Sequence, residues 1–266
     1  KKVSIFLIPI NKLAKEIGGS LLLRNTAALG ASIALLGGDL EILKKLIAQE
    51  FSTKDPKITE SNFAVCQAAY DYAIKNYHDK IQNILTPKKT DLKMVVNGNE
   101  AISLGAVAAG MKFSAIYPMT PTSGILHTLA ALQDKYDFVC KQPEDEIAAI
   151  NMAIGASFAG VRAMVATSGG GFCLMTEANG LAGIAEIPVV IINGMRGGPA
   201  TGLPTWTEQG DLRMVLHAHQ SDFPRIVLAA GDIEEAFHLT MQAFNLADQY
   251  QTPVVLLVDK QICESH

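Results

Sequence analysis

The chain has 266 residues, 49% hydrophobic, 18% charged and only 6% aromatic. Those values exclude a disordered polypeptide, allow one large or two ordinary domains, and suit helix-on-sheet layers better than an all-β sandwich. The net charge of −4 is spread along the chain without a Lys/Arg cluster. That gives no sign of a nucleic-acid or anionic-membrane surface and points to a small molecule or another protein as partner.

The chain opens on Lys1-Lys2 and an apolar run. The run is short and no small-residue cleavage site follows, so residues 3–10 are expected to form a buried strand rather than a leader. Residues 11–17 make a short helix. Residues 21–36 are apolar almost all round and stop at Gly37-Gly38, a helix C-cap signal. Asp39 then caps a helix with Leu40, Leu43, Leu46 and Ile47 as its apolar stripe. A longer amphipathic helix is expected over residues 60–82, and Thr86-Pro87-Lys88-Lys89-Thr90-Asp91 has the composition of a linker. The expected division is residues 1–90 and 91–266.

Beyond the linker, strand and helix patterns alternate, with strands expected at 113–117, 138–141, 163–167, 189–193, 225–229 and 254–258. Several are continuous apolar runs, as in Pro188-Val189-Val190-Ile191-Ile192, which suits parallel strands buried on both faces. The fold class is therefore α/β with a doubly wound parallel sheet, preceded by a partial, mainly helical α/β segment. No apolar run approaches the ~18 residues that span a bilayer. Cys66, Cys140, Cys173 and Cys263 lie far apart with no CxxC pair, which argues against zinc or iron–sulfur ligation and suits reduced thiols in the cytoplasm. With no initiator Met, and with its end just after a strand pattern, the chain is expected to be a fragment of a longer polypeptide.

Ligands of open α/β sheets bind beyond the carboxyl ends of the strands. The segments following the first four strands are Tyr117-Pro118-Met119-Thr120-Pro121-Thr122-Ser123, Gln142-Pro143-Glu144-Asp145-Glu146, Ser168-Gly169-Gly170-Gly171 and Asn193-Gly194-Met195-Arg196-Gly197-Gly198-Pro199. Together they bring conspicuous glycine, proline, hydroxyl and charged residues to one edge, more than turning the chain requires, which places a site there. Arg196, flanked by glycines, has the fork geometry for a carboxylate or phosphate, and reads equally as a surface arginine in a Gly-rich turn. Glu144, Asp145 and Glu146 either complement a helix dipole or include one carboxylate held in an apolar site for a heterocycle's ring nitrogen. Thr120 and Ser123 also serve as turn or cap residues. Ser168 and its glycines either cradle an anion at a helix N-terminus or permit close strand–helix packing.

Neither GxGxxG nor GxxxxGK[ST] occurs. Ala166-Thr167-Ser168-Gly169-Gly170 is an Ala variant of the nucleophile elbow, so a serine hydrolase using Ser168, with Asp222 and His238 as partners, is the alternative function.

Four segments also resemble a known family. Tyr117-Pro118-Met119-Thr120-Pro121 resembles YPITP, and Gln142–Ala149 resembles QxEDEIAA. Thr167–Phe172 is similar to TSGPGF with Gly170 in place of proline, and Arg196–Thr205 to RGGPSTGLPT. In that order and spacing they resemble the α subunit of 2-oxoacid:ferredoxin oxidoreductases. Asn25-Thr26-Ala27-Ala28-Leu29-Gly30 resembles the late part of the γ domain fused ahead of it in some members. The family's second α-subunit domain would follow residue 266.

The resemblance implies a pyrimidine-binding domain at 91–266 and oxidative decarboxylation of a 2-oxoacid to an acyl-coenzyme A. It favours 2-oxoglutarate or a broad range of 2-oxoacids, with electrons passed to ferredoxin or flavodoxin. Glu144 would hold the aminopyrimidine ring of thiamine diphosphate, with Glu146 the other candidate. Arg196 and Thr120 would contact the substrate, and Tyr117, Pro118, Ser168 and Gly169 would line the cofactor. A β subunit would carry the diphosphate-binding domain, Mg²⁺ and an iron–sulfur cluster, in a dimer of heteromers. None of these metals would be ligated by this chain.

Overall fold

A computed structural model of the chain describes residues 5–80 and 93–265. The chain divides into two compact units, Lys1–Leu92 and Lys93–His266.

The described part of the first unit is helical: α1 (Ile10–Glu16), α2 (Arg24–Leu35), α3 (Leu40–Glu50) and α4 (Pro56–Tyr77). Its core is small-residue packing of α2 on α4, with Ala27, Ala31 and Ala34 against Val65, Ala69 and Ala73. A Cβ at Gly30 would collide with the Cys66 carbonyl, so glycine sets how closely these helices approach. The C-cap expected at Gly37 forms: Gly37 has φ +66 and the Gly38 N–H donates to the Ile33 carbonyl at 2.8 Å. Asp39 caps α3 through the Glu41 N–H.

Three expectations change here. No strand forms in the described part of residues 3–10. Leu7 instead exchanges its backbone N–H and C=O with the Tyr77 hydroxyl, at 3.0 and 2.8 Å, and Ile5 and Leu7 are exposed. A strand needs a neighbouring strand to complete its ladder, and among the described residues of this unit there is none. The helix expected from residue 60 starts at Pro56, because Asp55 accepts from the Lys57 N–H and Pro56 takes the first helical position. Leu46 is 56% exposed, since Leu40, Leu43 and Ile47 suffice to form the buried stripe. The linker expected at 86–91 lies outside the described residues.

The second unit is a six-stranded, wholly parallel sheet in the order β2-β1-β3-β4-β6-β5. Its strands are β1 (Phe113–Ala115), β2 (Val139–Lys141), β3 (Ala163–Thr167), β4 (Val190–Met195), β5 (Ile226–Ala229) and β6 (Val254–Asp259). The helices are α5 (Gly98–Ala108), α6 (Ser123–Tyr136), α7 (Glu146–Phe158), α8 (Gly169–Ile184), α9 (Leu212–His217), α10 (Ile233–Tyr250) and α11 (Lys260–Glu264).

Side chains on successive strand residues alternate between two cores. Met164, Ala166, Val190 and Ile192 join Ile102 of α5, Leu129 of α6 and Phe244 of α10. Val165, Ile191, Val255 and Leu257 join Ile150 of α7, Phe172 and Met175 of α8, and Val215 of α9. A fully buried side chain such as Phe172 or Phe244 contributes about 2 kcal/mol by leaving water. This is the doubly wound parallel sheet expected from the sequence. Among the described residues, no helix is long and apolar enough to cross a membrane.

The strand order fixes where a ligand can enter. The chain leaves β1 to form β2 on one side, then crosses back to form β3 on the other. The connections from β1 and β3 therefore diverge over opposite faces and open a crevice beyond their carboxyl ends.

Candidate functional site

The loop after β1 is braced from three sides. The Met119 carbonyl accepts both the Thr122 N–H at 2.9 Å and its hydroxyl at 3.0 Å. The buried Asn99 on α5 donates its amide to the Pro121 carbonyl at 2.9 Å. On β4, a Cβ at Gly194 would lie 2.5 Å from Thr122 Cγ2, so a glycine lets the loop press onto the strand. Tyr117, Pro118 and Thr120 are half-buried along this path.

After β2, the three consecutive acids take three different environments. Asp145 is the N-cap of α7, accepting the Ala148 N–H at 2.7 Å. Glu144 is exposed. Glu146, the first residue of α7, is only 3% exposed, and its Oε1 has no hydrogen-bond partner. Because Asp145 already satisfies the helix start, capping does not account for Glu146. An unpartnered buried carboxylate costs stability, which makes it a candidate for a ligand's hydrogen bond.

After β3, Thr167 and Ser168 are buried at the sheet edge. Ser168 is the N-cap residue of α8 by position, yet its side chain makes no cap hydrogen bond and its Oγ is unpartnered. One turn into α8, a Cβ on Gly171 would collide with Thr167 Oγ1 and lie 2.8 Å from Glu146 Oε1. The bare glycine therefore leaves room beside the Glu146 carboxyl group.

Beyond β4, the Gly-rich segment curls back on itself. Gly197 bridges to Leu203, and the Leu203 N–H donates to the Gly197 carbonyl at 2.7 Å. Gly202, at φ +61, makes the curl: a Cβ there would collide with the Gly197 carbonyl. Arg196 spans two loops, donating to the Thr120 carbonyl at 2.7 Å and the Thr201 carbonyl at 3.0 Å. Two nitrogens of its fork are thus engaged by protein, and further N–H groups are left for a ligand.

These segments enclose a cleft of about 560 Å³ that includes Met119, Ser168, Gly169, Gly170, Arg196 and Asp211. Of the residues singled out from sequence, Ser168, Gly169 and Arg196 line it directly. Thr120 meets it through the carbonyl that holds Arg196, and Tyr117 and Pro118 lead to Met119 at its wall. Glu146 lies behind Gly171 and Thr167, while Glu144 stands at the surface. His238 instead lines a recess with Asp232 and Glu234, and Asp222 is exposed. No histidine is among the described residues lining the Ser168 cleft, so the geometry gives the hydrolase alternative no base.

Two further residues of the cleft carry no signal in the sequence that would place them there. Asp211, just before α9, places its carboxylate against Gly169 and accepts the Asn193 amide at 2.9 Å. Cys173 lines the cleft with its Sγ 3.3 Å from Met214 Sδ. Neither belongs to a recognisable motif, and the Asn193–Asp211 pairing across 18 residues has no local signal.

The sequence matches a family model described as "Pyruvate flavodoxin/ferredoxin oxidoreductase, thiamine diP-bdg" over residues 104–266. A second, "Pyruvate ferredoxin/flavodoxin oxidoreductase", matches residues 1–72. Subunit alpha of 2-oxoacid:ferredoxin oxidoreductase 1 from Sulfurisphaera tokodaii is 39% identical, over 100% of this chain and 45% of its own length. The 2-oxoglutarate synthase subunit KorA from Archaeoglobus fulgidus is 48% identical, over 62% of this chain and 48% of its own. Among solved structures, the fold superposes with a TM-score of 0.89 and 34% identity on the 2-oxoglutarate:ferredoxin oxidoreductase from Magnetococcus marinus, a structure with 2-oxoglutarate, coenzyme A and succinyl-CoA bound. The match covers 96% of this chain and 45% of that one. The chain thus spans about half the length of the curated relatives it matches.

Proposed function

The chain belongs to the thiamine-diphosphate-binding pyruvate flavodoxin/ferredoxin oxidoreductase family, and on that premise we propose that it holds the pyrimidine end of the cofactor in a 2-oxoacid oxidoreductase. The single observation that carries this is Glu146: a buried, unpartnered carboxyl group at the switch-point crevice, with a bare glycine beside it. The residues present fit the group. Glu146 would hydrogen-bond a ring nitrogen of the aminopyrimidine, and this role passes from Glu144 to Glu146 because Glu144 faces solvent. Bound thiamine diphosphate would supply the nucleophilic carbon and electron sink that side chains lack.

Arg196 would receive the 2-oxoacid's carboxylate with its remaining N–H groups, while its bonds to the Thr120 and Thr201 carbonyls fix the fork in place. Ser168 and Gly169 would line the cofactor's side of the cleft, with Met119 beside Thr167 at its wall. The substrate we assign is 2-oxoglutarate or a broad range of 2-oxoacids. The 2-oxoacid and 2-oxoglutarate relatives support this, as does the bound 2-oxoglutarate of the Magnetococcus structure.

We assign the diphosphate, Mg²⁺ and an iron–sulfur cluster to a partner β subunit, and coenzyme A and ferredoxin or flavodoxin to the assembled dimer of heteromers in the cytoplasm. Among the described residues, no group of three His, Cys, Asp or Glu is arranged to hold a metal. The outer faces of α7 and α8 expose Ile147, Phe158 (81%) and Ile184 (82%), an apolar surface of the kind that a partner covers. Residues 1–90 are assigned to the γ-like segment and 91–266 to the pyrimidine-binding domain.

The test is viologen reduction by the full-length subunit assembled with its partner, given thiamine diphosphate, Mg²⁺, coenzyme A and a panel of 2-oxoacids. Reduction that requires a 2-oxoacid and coenzyme A is expected. An assembled, cofactor-loaded complex that reduces viologen with none of them contradicts the assignment.

A further inference from the structure

Among the described residues lining the Arg196 cleft, two carry charge: Arg196 itself and Asp211. The Asp211 carboxylate is not loose. Asn193, fully buried on β4, donates its amide to Asp211 Oδ2 at 2.9 Å. Gly169, the first residue of α8, presses against the same carboxylate, so that a Cβ there would lie 2.6 Å from Oδ2 and 2.9 Å from Oδ1. Asp211 therefore stands at the positive end of the 16-residue helix α8, where Ser168 leaves the helix start uncapped by its side chain. The helix end that would attract a second anion is already matched by an anion of the protein.

We propose that Asp211 is a specificity-determining residue that restricts this cleft to one incoming carboxylate, the one at Arg196. The inference rests on the 2-oxoacid reading of the same site. A substrate with a neutral side chain can lie along the Met119, Cys173, Leu174 and Met214 wall without penalty. A second carboxylate on the same path meets Asp211 in a partly desolvated space, where like charges repel more strongly than in water. When the complex takes 2-oxoglutarate, its distal carboxylate is directed away from α8 and received outside this cleft. Asp211 thereby holds down the preference for dicarboxylic over monocarboxylic 2-oxoacids.

The experiment compares kcat/KM for 2-oxoglutarate and the neutral 2-oxohexanoate in the assembled complex, with wild type, Asp211→Asn and Asp211→Glu. The expected result is a ratio of 2-oxoglutarate to 2-oxohexanoate about fivefold or more higher in Asp211→Asn, shrinking as salt is raised. Asp211→Glu should restore a ratio near wild type. Thermal melts establish that each variant is folded, and a purely structural role for Asp211 would lower both substrates together. An unchanged ratio in folded, active Asp211→Asn overturns the proposal and leaves the functional reading standing. A wild-type complex inactive with every 2-oxoacid overturns the functional reading, and this proposal with it.

Discussion

Gly171 and Glu146 share one small space: a Cβ on the glycine would lie 2.8 Å from the glutamate's Oε1 and collide with Thr167 Oγ1. Glycine in a helix interior costs ~1 kcal/mol relative to alanine, so propensity alone favours Gly171→Ala. The close approach reverses that preference at the site. In the assembled complex, Gly171→Ala is expected to weaken thiamine diphosphate binding at least tenfold by displacing the Glu146 carboxyl group. Cofactor titration against activity measures it, and wild-type affinity in the variant would contradict the role of this space.

Arg196 joins the β1 loop to the curled segment after β4 through carbonyls on each. Lysine keeps the charge but not the planar fork, and it cannot span both carbonyls while meeting a carboxylate in bidentate fashion. Arg196→Lys is therefore expected to raise KM for the 2-oxoacid tenfold or more, with a smaller loss in kcat. A panel of substrate concentrations at saturating thiamine diphosphate separates the two parameters. An unchanged KM would remove Arg196 from substrate binding.

Much of this was legible in the sequence, for identifiable reasons. Strands buried on both faces must be apolar throughout, so runs such as Val189–Ile192 announced themselves, and the residues just beyond them pointed to the sheet edge. The choice among Glu144, Asp145 and Glu146 was not legible. Adjacent helix-start residues differ only in direction, and the deciding event is that Asp145 caps α7 while Glu146 turns inward. Asp211 escaped because its partner Asn193 and its contact with Gly169 are tertiary. The strand expected near residue 5 failed for the opposite reason: local composition favoured it, but the ladder it requires is not among the described residues.

The cysteines give a pH-dependent check on the packing of the second unit. Burial, reinforced by Asp259 and Glu264, pushes the Cys263 thiol up to about 12 from an ordinary value of 9.0. A raised folded-state value means the stabilisation is fully present below pH 9. It declines as pH rises toward 12, because the unfolded thiol ionises first. From pH 9 upward, the wild-type unfolding free energy should fall more steeply than that of Cys263→Ala, by up to about 1.4 kcal/mol per pH unit. Denaturant titrations at stepped pH measure this, and parallel slopes would contradict the burial. In the same chain, the exposed Cys173 should react with a thiol reagent at pH 8 well before the buried Cys66 and Cys263.

The most direct test of the account sets two neighbouring carboxylates against each other. Glu146→Gln and Glu144→Gln are each assembled with the partner subunit and assayed for 2-oxoacid-dependent viologen reduction at saturating thiamine diphosphate. If the buried, unpartnered Glu146 holds the pyrimidine, Glu146→Gln should lose activity at least ~100-fold. Glu144→Gln, altered only at the surface, should stay within about twofold of wild type. The reverse outcome, an active Glu146→Gln beside an inactive Glu144→Gln, would contradict the central claim.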